Sequence, residues 1–511
     1  MRSPILKLAL FATGLSGIVA EYILSTLASY FLGDSIIQWT LTVSVMLFSM
    51  GLGSRLSRYM KTNLLQKFIY TEFSLSILVS FAAMIAYISA ASTIYTGLII
   101  YTLSILIGLL IGLEIPLVIR LNKEFESLRI NVSSVMELDY VGSLIGGLFF
   151  AFVALPYIGL TYTPFILGSI NFLVALILLY QVRKSSPKEA APSINVLAVV
   201  VAFVITAGYL SAQPIIQYSE QKKYKDKVVY SEQSRYQKIV ITEWKGDYWL
   251  YLNGNQQFST VDEHLYHEPL VHPAMKYYNS PEYVLIMGGG DGCAVREVLK
   301  YPTVKEVVLI DLDKQMTDLG KNHELLKTIN QNALNHQKVK IENRDGFEWL
   351  TSTRSYFDVI ICDLPDPRNI ELNRLYSKEF FELCQRHLSK NGVFVTQAGS
   401  PYFATRAYTC IDTTLKAAGF TTAKLHNHVI TLGEWGWIIG FKPENSKNVI
   451  QRLQSLTFES IETEWINNES MKLMTSFGNN IYPGWKENVQ VNTIHNPVLY
   501  KYYLEGNWEL Y

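Results

Sequence analysis

Cysteine is scarce in this sequence, and so is any imbalance of charge. Four cysteines occur in 511 residues (Cys293, Cys362, Cys384 and Cys410), all in the second half and none in a CxxC spacing. That excludes a disulfide framework and a cysteine-built zinc site, and it points to thiols kept reduced. Lys plus Arg and Asp plus Glu both number 44, so no global bias toward nucleic acid exists. His264, His267 and His272 lie close together in sequence, but no HExxH pattern surrounds them and no metal is expected. The longest absence is of charge itself: there is none from Phe73 to Leu113 and none from Tyr140 to Val182.

A membrane-spanning helix needs ~20 apolar residues, so each charge-free run holds two helices joined by a tight turn. Leu8 to Tyr30, Ser35 to Gly53 and Ile194 to Gln213 bring the count to seven. The first is too long for a cleaved signal and is followed by further spans. Residues 1–215 therefore read as a multi-span α-helical membrane domain with the lipid bilayer as partner. Glu21, Asp34, Glu72, Glu114, Glu137 and Asp139 sit inside or at the ends of these spans. They are expected to pair with loop Arg and Lys or to bridge helices, with Glu21, deepest in its span, the candidate for a cation path.

Beyond this domain the periodicity changes. RYQKIVITEW, DYWLYLNG and NQQFSTV alternate polar and apolar residues between Gly and Asn turns, which predicts a small antiparallel β unit over 216–268. Strands YVLIMG, VKEVVLIDL, VKIENRD, FDVIICDL and GVFVTQA then alternate with helices, and a late strand pair follows near KLHNHVI and WGWIIGF. Near-continuous apolar strands of this kind predict a parallel, Rossmann-like sheet covered on both faces, over 269–443. Residues 444–511 form a polar, irregular C-terminal extension.

Ligands of such sheets lie at the carboxyl ends of the strands, and an acid follows each of four successive strands. Asp291 lies in the GGGDG turn with Gly288 and Gly290, Asp311 closes the second strand, Asp345 the third, and Asp363 the fourth with Asp366 after it. Asp311, ~20 residues beyond the turn, suits a ribose diol. A carboxylate in the glycine turn disfavours phosphate, and clustered carboxylates call for a cation. The ligand is therefore a phosphate-free, positively charged nucleoside. Electrostatics favour decarboxylated S-adenosylmethionine, whose arm is a bare propylamine, over the parent with its carboxylate. Arg296 is the basic residue seen near the site loops, and it lies inside a helix. Three alternatives stand beside this reading: an ordinary methyltransferase, a polyamine transporter or sensor with a degenerate enzyme domain, and transfer to a membrane-associated acceptor.

SRYQKIVI, LNGNQQFSTVDEHLYHEPLVHPA, VLIMGGGDGCAVREVLKYPTVKEVVLIDLD, RDGFEW and FDVIICDLPDP resemble the spermidine synthase (polyamine aminopropyltransferase) family. SYFLGDSIIQWTL, MGLGSRLSR and LDYVGSLIGG resemble its multi-span bacterial members. The resemblance implies aminopropyl transfer from decarboxylated S-adenosylmethionine to putrescine or a related polyamine, with no tightly bound cofactor. It implies that Asp363 is the base and that Tyr266 orients the acceptor amine. It further implies ligand contacts from Gln237, Gln257 and His267, an ammonium-holding Asp291, a ribose-binding Asp311, an adenine border of Asp345 and Gly346, and an ammonium-binding Asp366. DLPDP departs from the DSSDP or DSTDP of soluble members. The late tyrosine of those members is replaced within TLGEWGW, where Glu434 and Trp435 are the candidates to substitute. Self-association as a dimer or tetramer is also implied.

Loop charges conflict over orientation. Arg55, Arg58, Lys61, Lys67, Arg120, Lys123, Arg129, Arg183, Lys184 and Lys188 share a side with Arg2 and Lys7, yet Lys222, Lys223, Lys225 and Lys227 follow the last span. A cytosolic donor and reduced thiols favour a cytoplasmic catalytic region on an integral protein of the cell membrane.

Overall fold

The computed structural model describes residues 3–33, 35–123, 127–185, 192–445, 447–479 and 488–508. Arg2, Asp34 and Lys188 of the sequence reading lie outside these. The chain forms two compact units, Met1–Val228 and Val229–Tyr511.

The first unit is helical: α1 (Ser3–Leu32), α2 (Ser35–Ser57), α3 (Leu64–Ser92), α4 (Thr96–Asn122), α5 (Leu128–Phe149), α6 (Gly159–Ser185) and α7 (Pro192–Lys223). Among the described residues, six helical stretches are long and apolar enough to cross a membrane, and the fifth, Leu128–Gln181, runs 54 residues. It contains α5, a π-helical turn at Phe150–Ile158, and α6. Packing resolves it into two passes. Gly14 lies against Asp139, Ile18 against Gly146 and Tyr22 against Phe150, so α5 runs along α1 in the same direction. Tyr30 meets Tyr87, and Thr13 sits beside Glu72, which gives α3 that direction too. Against α3, however, α6 runs backwards: Phe81 meets Phe165, Ser76 Oγ donates to the Gly168 carbonyl at 2.6 Å, and Phe73 meets Phe172. The reversal occurs at Pro156 and Gly159, where φ is +76°.

Helix ends and apolar runs do not coincide. α5 starts at Leu128, well before the charge-free run, and α7 continues past Gln213 to Lys223. A backbone helix needs only helix-permitting residues, whereas a charge-free run marks what lipid tolerates.

Glu72 and Glu114 are both fully buried, and none of their four carboxyl oxygens has a hydrogen-bond partner among the described residues. Thr13 lies beside both, yet its hydroxyl donates to the Ala9 carbonyl at 3.0 Å. The expected pairing with loop Arg or Lys is therefore wrong for these two acids. They occupy the faces of α3 and α4 that meet α1, out of reach of the loops, whereas Glu21 keeps 6% exposure.

Small residues set the helix spacing, as in other apolar bundles. A methyl group on Gly112 of α4 would stand 2.0 Å from the Met50 carbonyl of α2, while Gly51 meets nothing within 4 Å. Gly112→Ala should cost about 1–3 kcal/mol by overpacking, read as earlier thermal unfolding of the detergent-solubilised protein. Gly51→Ala should leave that transition in place.

The second unit holds two sheets. Strands β1 (Lys227–Gln233), β2 (Lys238–Trp244), β3 (Asp247–Leu252) and β4 (Asn255–Ser259) form a four-stranded sheet in chain order, with β2–β3 and β3–β4 antiparallel. The second sheet contains β5 (Tyr283–Gly288), β6 (Glu306–Ile310), β7 (Val339–Glu342), β8 (Phe357–Asp363), β9 (Leu388–Gln397), β10 (Thr421–Val429) and β11 (Gly433–Phe441). Their order is β10-β11-β9-β8-β5-β6-β7. The first five strands pair in parallel, and β11 adds antiparallel to β9 and β10. Three helices recur below: α8 (His264–Tyr278), α9 (Cys293–Leu299) and α10 (Lys314–Asn322).

Alternate residues of the apolar strands fill two cores. Ile286, Leu309, Ile361 and Val395 face one side, and Met287, Ile310, Cys362 and Phe394 the other. The C-terminal extension covers both. Val449, Leu453, Ile466, Met471 and Met474 join the first core, and Val498, Leu499 and Tyr503 the second. Polar composition hid this packing, since a few apolar side chains per segment suffice to dock it.

Candidate active site

Chain order reverses between β5 and β8, and the crevice at such a switch point is where ligands bind doubly wound sheets. Gly288 ends β5 directly beside Asp363 at the end of β8. Its φ is +80°, and a Cβ there would come 2.1 Å from the Asp363 carbonyl oxygen, so only glycine lets the two strand ends close up. Gly290 is held by its amide, which donates to Asp311 Oδ2 at 3.1 Å, and a Cβ there would crowd the same oxygen at 2.8 Å. Asp311 is thereby brought from β6 to the mouth of the turn. Burial, then the neighbouring Asp313 and Asp291 charges, raise its carboxyl to about 7 against two backbone donors that lower it.

Three side chains meet at the centre. Polar atoms of His267, Asp291 and Asp363 all lie within 4.8 Å of one another. Tyr266, one residue before His267 on α8, donates its hydroxyl to Asp363 Oδ1 at 2.8 Å. Burial and Asp291 push Asp363 up to about 6, with His267 and Tyr266 opposing. Burial and the Asp363 carboxylate hold the Tyr266 phenol well above its ordinary range. For His267, burial works against protonation, but Glu263, Asp291 and Asp363 outweigh it and bring the imidazole up to about 9. Its Nδ1 lies 2.7 Å from Glu263 Oε2. Between these acids, a protonated His267 serves as counter-charge.

Arg296 is buried between two acids, with Nη1 2.7 Å from Glu263 and Nε 2.7 Å from Glu297, and it donates to the Ile329 carbonyl at 2.8 Å. Its charge is consumed internally and cannot receive a substrate carboxylate. Cys293 is fully buried, and burial and Asp291 drive its thiol well above the usual value, which fits packing. Asp291 Oδ1 accepts from the Cys293 amide at 2.8 Å.

The remaining predicted residues divide. Gln237 donates to Asp313 Oδ2 at 2.9 Å, and Asp313 in turn donates its amide to Asp311 Oδ1 at 2.8 Å, so Gln237 stands at the Asp311 end. Gln257 spends its amide on the carbonyls of Asn255 (3.1 Å) and Gln256 (3.3 Å) in its own strand. Asp345 caps the helix Gly346–Ser352 through the Glu348 amide at 2.9 Å and pairs with Arg374. A Cβ on Gly346 would meet the Met287 methyl at 2.6 Å. Asp366 lies beside Gln397, Arg368 and Tyr503. Of the two candidate replacements for the missing tyrosine, Glu434 is taken by His426, whereas Trp435 shares the core of Tyr266 and Trp437, its indole N–H without a partner among the described residues.

The sequence reading missed Glu263, Arg368 and Tyr503. Glu263 is four residues before His267 on one helix face, a spacing that brings side chains together. Arg368, two residues after Asp366, is a second basic group at the site and corrects the reading that Arg296 is the one near it. Tyr503 had no local signal.

A mostly parallel sheet with a glycine turn, a carboxylate bonded to that turn and an acid cluster at its switch point is the arrangement of a ligand-binding doubly wound α/β domain. The spermine/spermidine synthase domain matches residues 263–452. Polyamine aminopropyltransferase 2 of Aquifex aeolicus is 40% identical across 98% of this chain and 98% of its own. The Oceanobacillus iheyensis polyamine aminopropyltransferase is 38% identical across 97% and 96%. A spermidine synthase crystallised with the transition-state analogue AdoDATO superposes with TM-score 0.45 at 25% identity, over 49% of this chain and 86% of that one. The chain belongs to the spermine/spermidine synthase family and is a transferase of the polyamine aminopropyltransferase kind.

Each residue of the YHE triplet has a different task. Tyr266 holds Asp363, His267 answers the acids, and Glu268 accepts the backbone amides of Glu464, Trp465 and Ile466 at 2.6, 2.9 and 2.7 Å. Bonds to a charged acceptor are each worth about 1.5–3 kcal/mol. Glu268→Ala should release the segment around 460–467, seen as new protease cleavage there under conditions where the parent protein stays whole.

Proposed function

We propose that this protein transfers the aminopropyl group of decarboxylated S-adenosylmethionine to putrescine or a related diamine, releasing 5′-methylthioadenosine. The observation that carries the reading is the Tyr266 hydroxyl 2.8 Å from Asp363 Oδ1, beside Asp291 and a charged His267. Asp311 takes the ribose hydroxyls, Gln237 supports that end through Asp313, and Asp345 with Gly346 borders the base. Asp291 takes the propylammonium. Arg296 is enclosed by Glu263 and Glu297, Arg368 pairs with Asp366, and His267 is held by Glu263, so a donor carboxylate would meet the Asp291 and Asp363 carboxylates without a basic group left for it, which argues against ordinary S-adenosylmethionine.

Chemistry is an in-line displacement at the carbon attached to the sulfonium. The amine nitrogen forms its bond to carbon as the carbon–sulfur bond breaks, and sulfur keeps the electron pair as a neutral thioether. No acid is needed for the leaving group. The amine, with an ordinary pKa near ~10.4, must first lose a proton. Asp363 receives it, and the Tyr266 hydroxyl keeps that carboxylate aimed. Residues 1–215 would tether this chemistry to a bilayer with the catalytic unit in the cytoplasm, and the protein would self-associate as a dimer or tetramer.

Three measurements test the reading. Protein in detergent, given either decarboxylated or ordinary S-adenosylmethionine with a panel of amines, should release 5′-methylthioadenosine from the decarboxylated donor alone. Turnover from the carboxylated parent would overturn it. Asp363→Asn should lower kcat by roughly 10²–10⁴-fold while calorimetry still shows donor binding. For the parent protein, kcat/KM should fall as pH drops through about 6, because burial and Asp291 raise Asp363 to that value and only its ionised form accepts a proton. That acidic limb should vanish in Asp363→Asn.

A further inference from the structure

Asp366 is already neutralised by the protein itself. Its Oδ2 accepts from the Tyr503 hydroxyl at 2.7 Å and lies 3.2 Å from Arg368 Nη2, while Oδ1 accepts from Gln397 at 3.3 Å. The Arg368 guanidinium also bonds the Asn255 side chain at the start of β4 and sits 5.3 Å over the Tyr503 ring. The two partners differ in freedom. Tyr503 is 2% exposed and lies in the helix Leu499–Leu504, beyond the residues matched by the family domain. Its segment is pinned by the buried Asn492, whose amide donates to the carbonyls of Asn373 and Tyr376 and whose Oδ1 accepts from Val498 and Leu499. The Arg368 side chain is 41% exposed on the loop after β8.

We infer that Arg368 is a built-in competitor for the distal ammonium of the acceptor. Its guanidinium closes Asp366, and a diamine binds by displacing it, with Tyr503 as the fixed partner that keeps the carboxylate aimed. Both are positioning residues for the acceptor, and together they set how strongly the enzyme distinguishes diamine from monoamine. The inference rests on the reading that Asp366 receives the acceptor's ammonium.

Kinetics with putrescine and with butylamine, which has the same chain length but no second ammonium, separate the possibilities. Arg368→Gln should lower the KM for putrescine by about five-fold, the size of a partly exposed ion pair. The KM for butylamine and that for the donor should stay unchanged. Tyr503→Phe should shift only putrescine, and upward. Arg368→Lys, which keeps the charge, should fall between parent and Arg368→Gln. A putrescine KM that rises in Arg368→Gln, or a butylamine KM that moves in step with it, would overturn the inference. Failure of the underlying reading looks different: the parent protein itself would release no 5′-methylthioadenosine with either amine. A thermal transition recorded for each variant identifies any that has merely lost its fold.

Discussion

The structure turns on an electrostatic debt at the end of β8. Asp363 meets Asp291 across the strand end, with Asp311 at the far side of the same glycine turn, in surroundings dry enough to raise Asp363 and Asp311. Like charges so placed are costly unless a cation answers them. The protein supplies one part of the answer, the imidazolium of His267, which Glu263 holds from behind. The rest is left for a ligand. A fully compensated cluster would be a stable but idle polar core, whereas this one is short of positive charge.

α8 distributes the consequences. Because Tyr266, His267 and Glu268 project in different directions from one helical turn, one helix fixes the Asp363 carboxylate, its counter-charge and the C-terminal segment at once. Arg296 on α9 closes the outer layer by pairing with both Glu263 and Glu297. The buried charges around α8 are therefore paired in a chain that runs outward from His267, while Arg368, beside Asp366, is partly exposed.

Much of this was legible in the chain. Apolar runs marked β5, β6, β8 and β9 because strands covered on both faces have little room for polar residues, and the acids after β5, β6 and β8 marked the crevice. Four of the seven helices of the first unit followed from two charge-free runs, and the other three from further apolar stretches. What stayed hidden depends on distant partners. The Tyr503–Asp366 bond joins residues 137 apart, and the Glu268 contacts with 464–466 join residues nearly 200 apart, the farthest separated by 198. No periodicity encodes such pairings. Gln257 shows the opposite limit: a family motif named it, yet its amide here serves its own strand. Glu72 and Glu114 were visible as acids within or beside apolar runs, but only helix packing shows that both face α1 without a cation among the described residues.

Asn492 and Tyr503 have a temporal consequence as well as a spatial one. A ribosome emits the α/β sheet before it emits the segment that finishes the pocket. Until that late helix docks, Asp366 lacks its rigid phenol, and the second core of the sheet lacks Leu499. A growing chain would therefore present this carboxylate without its phenolic partner. Competence would arrive only with translation of the tail.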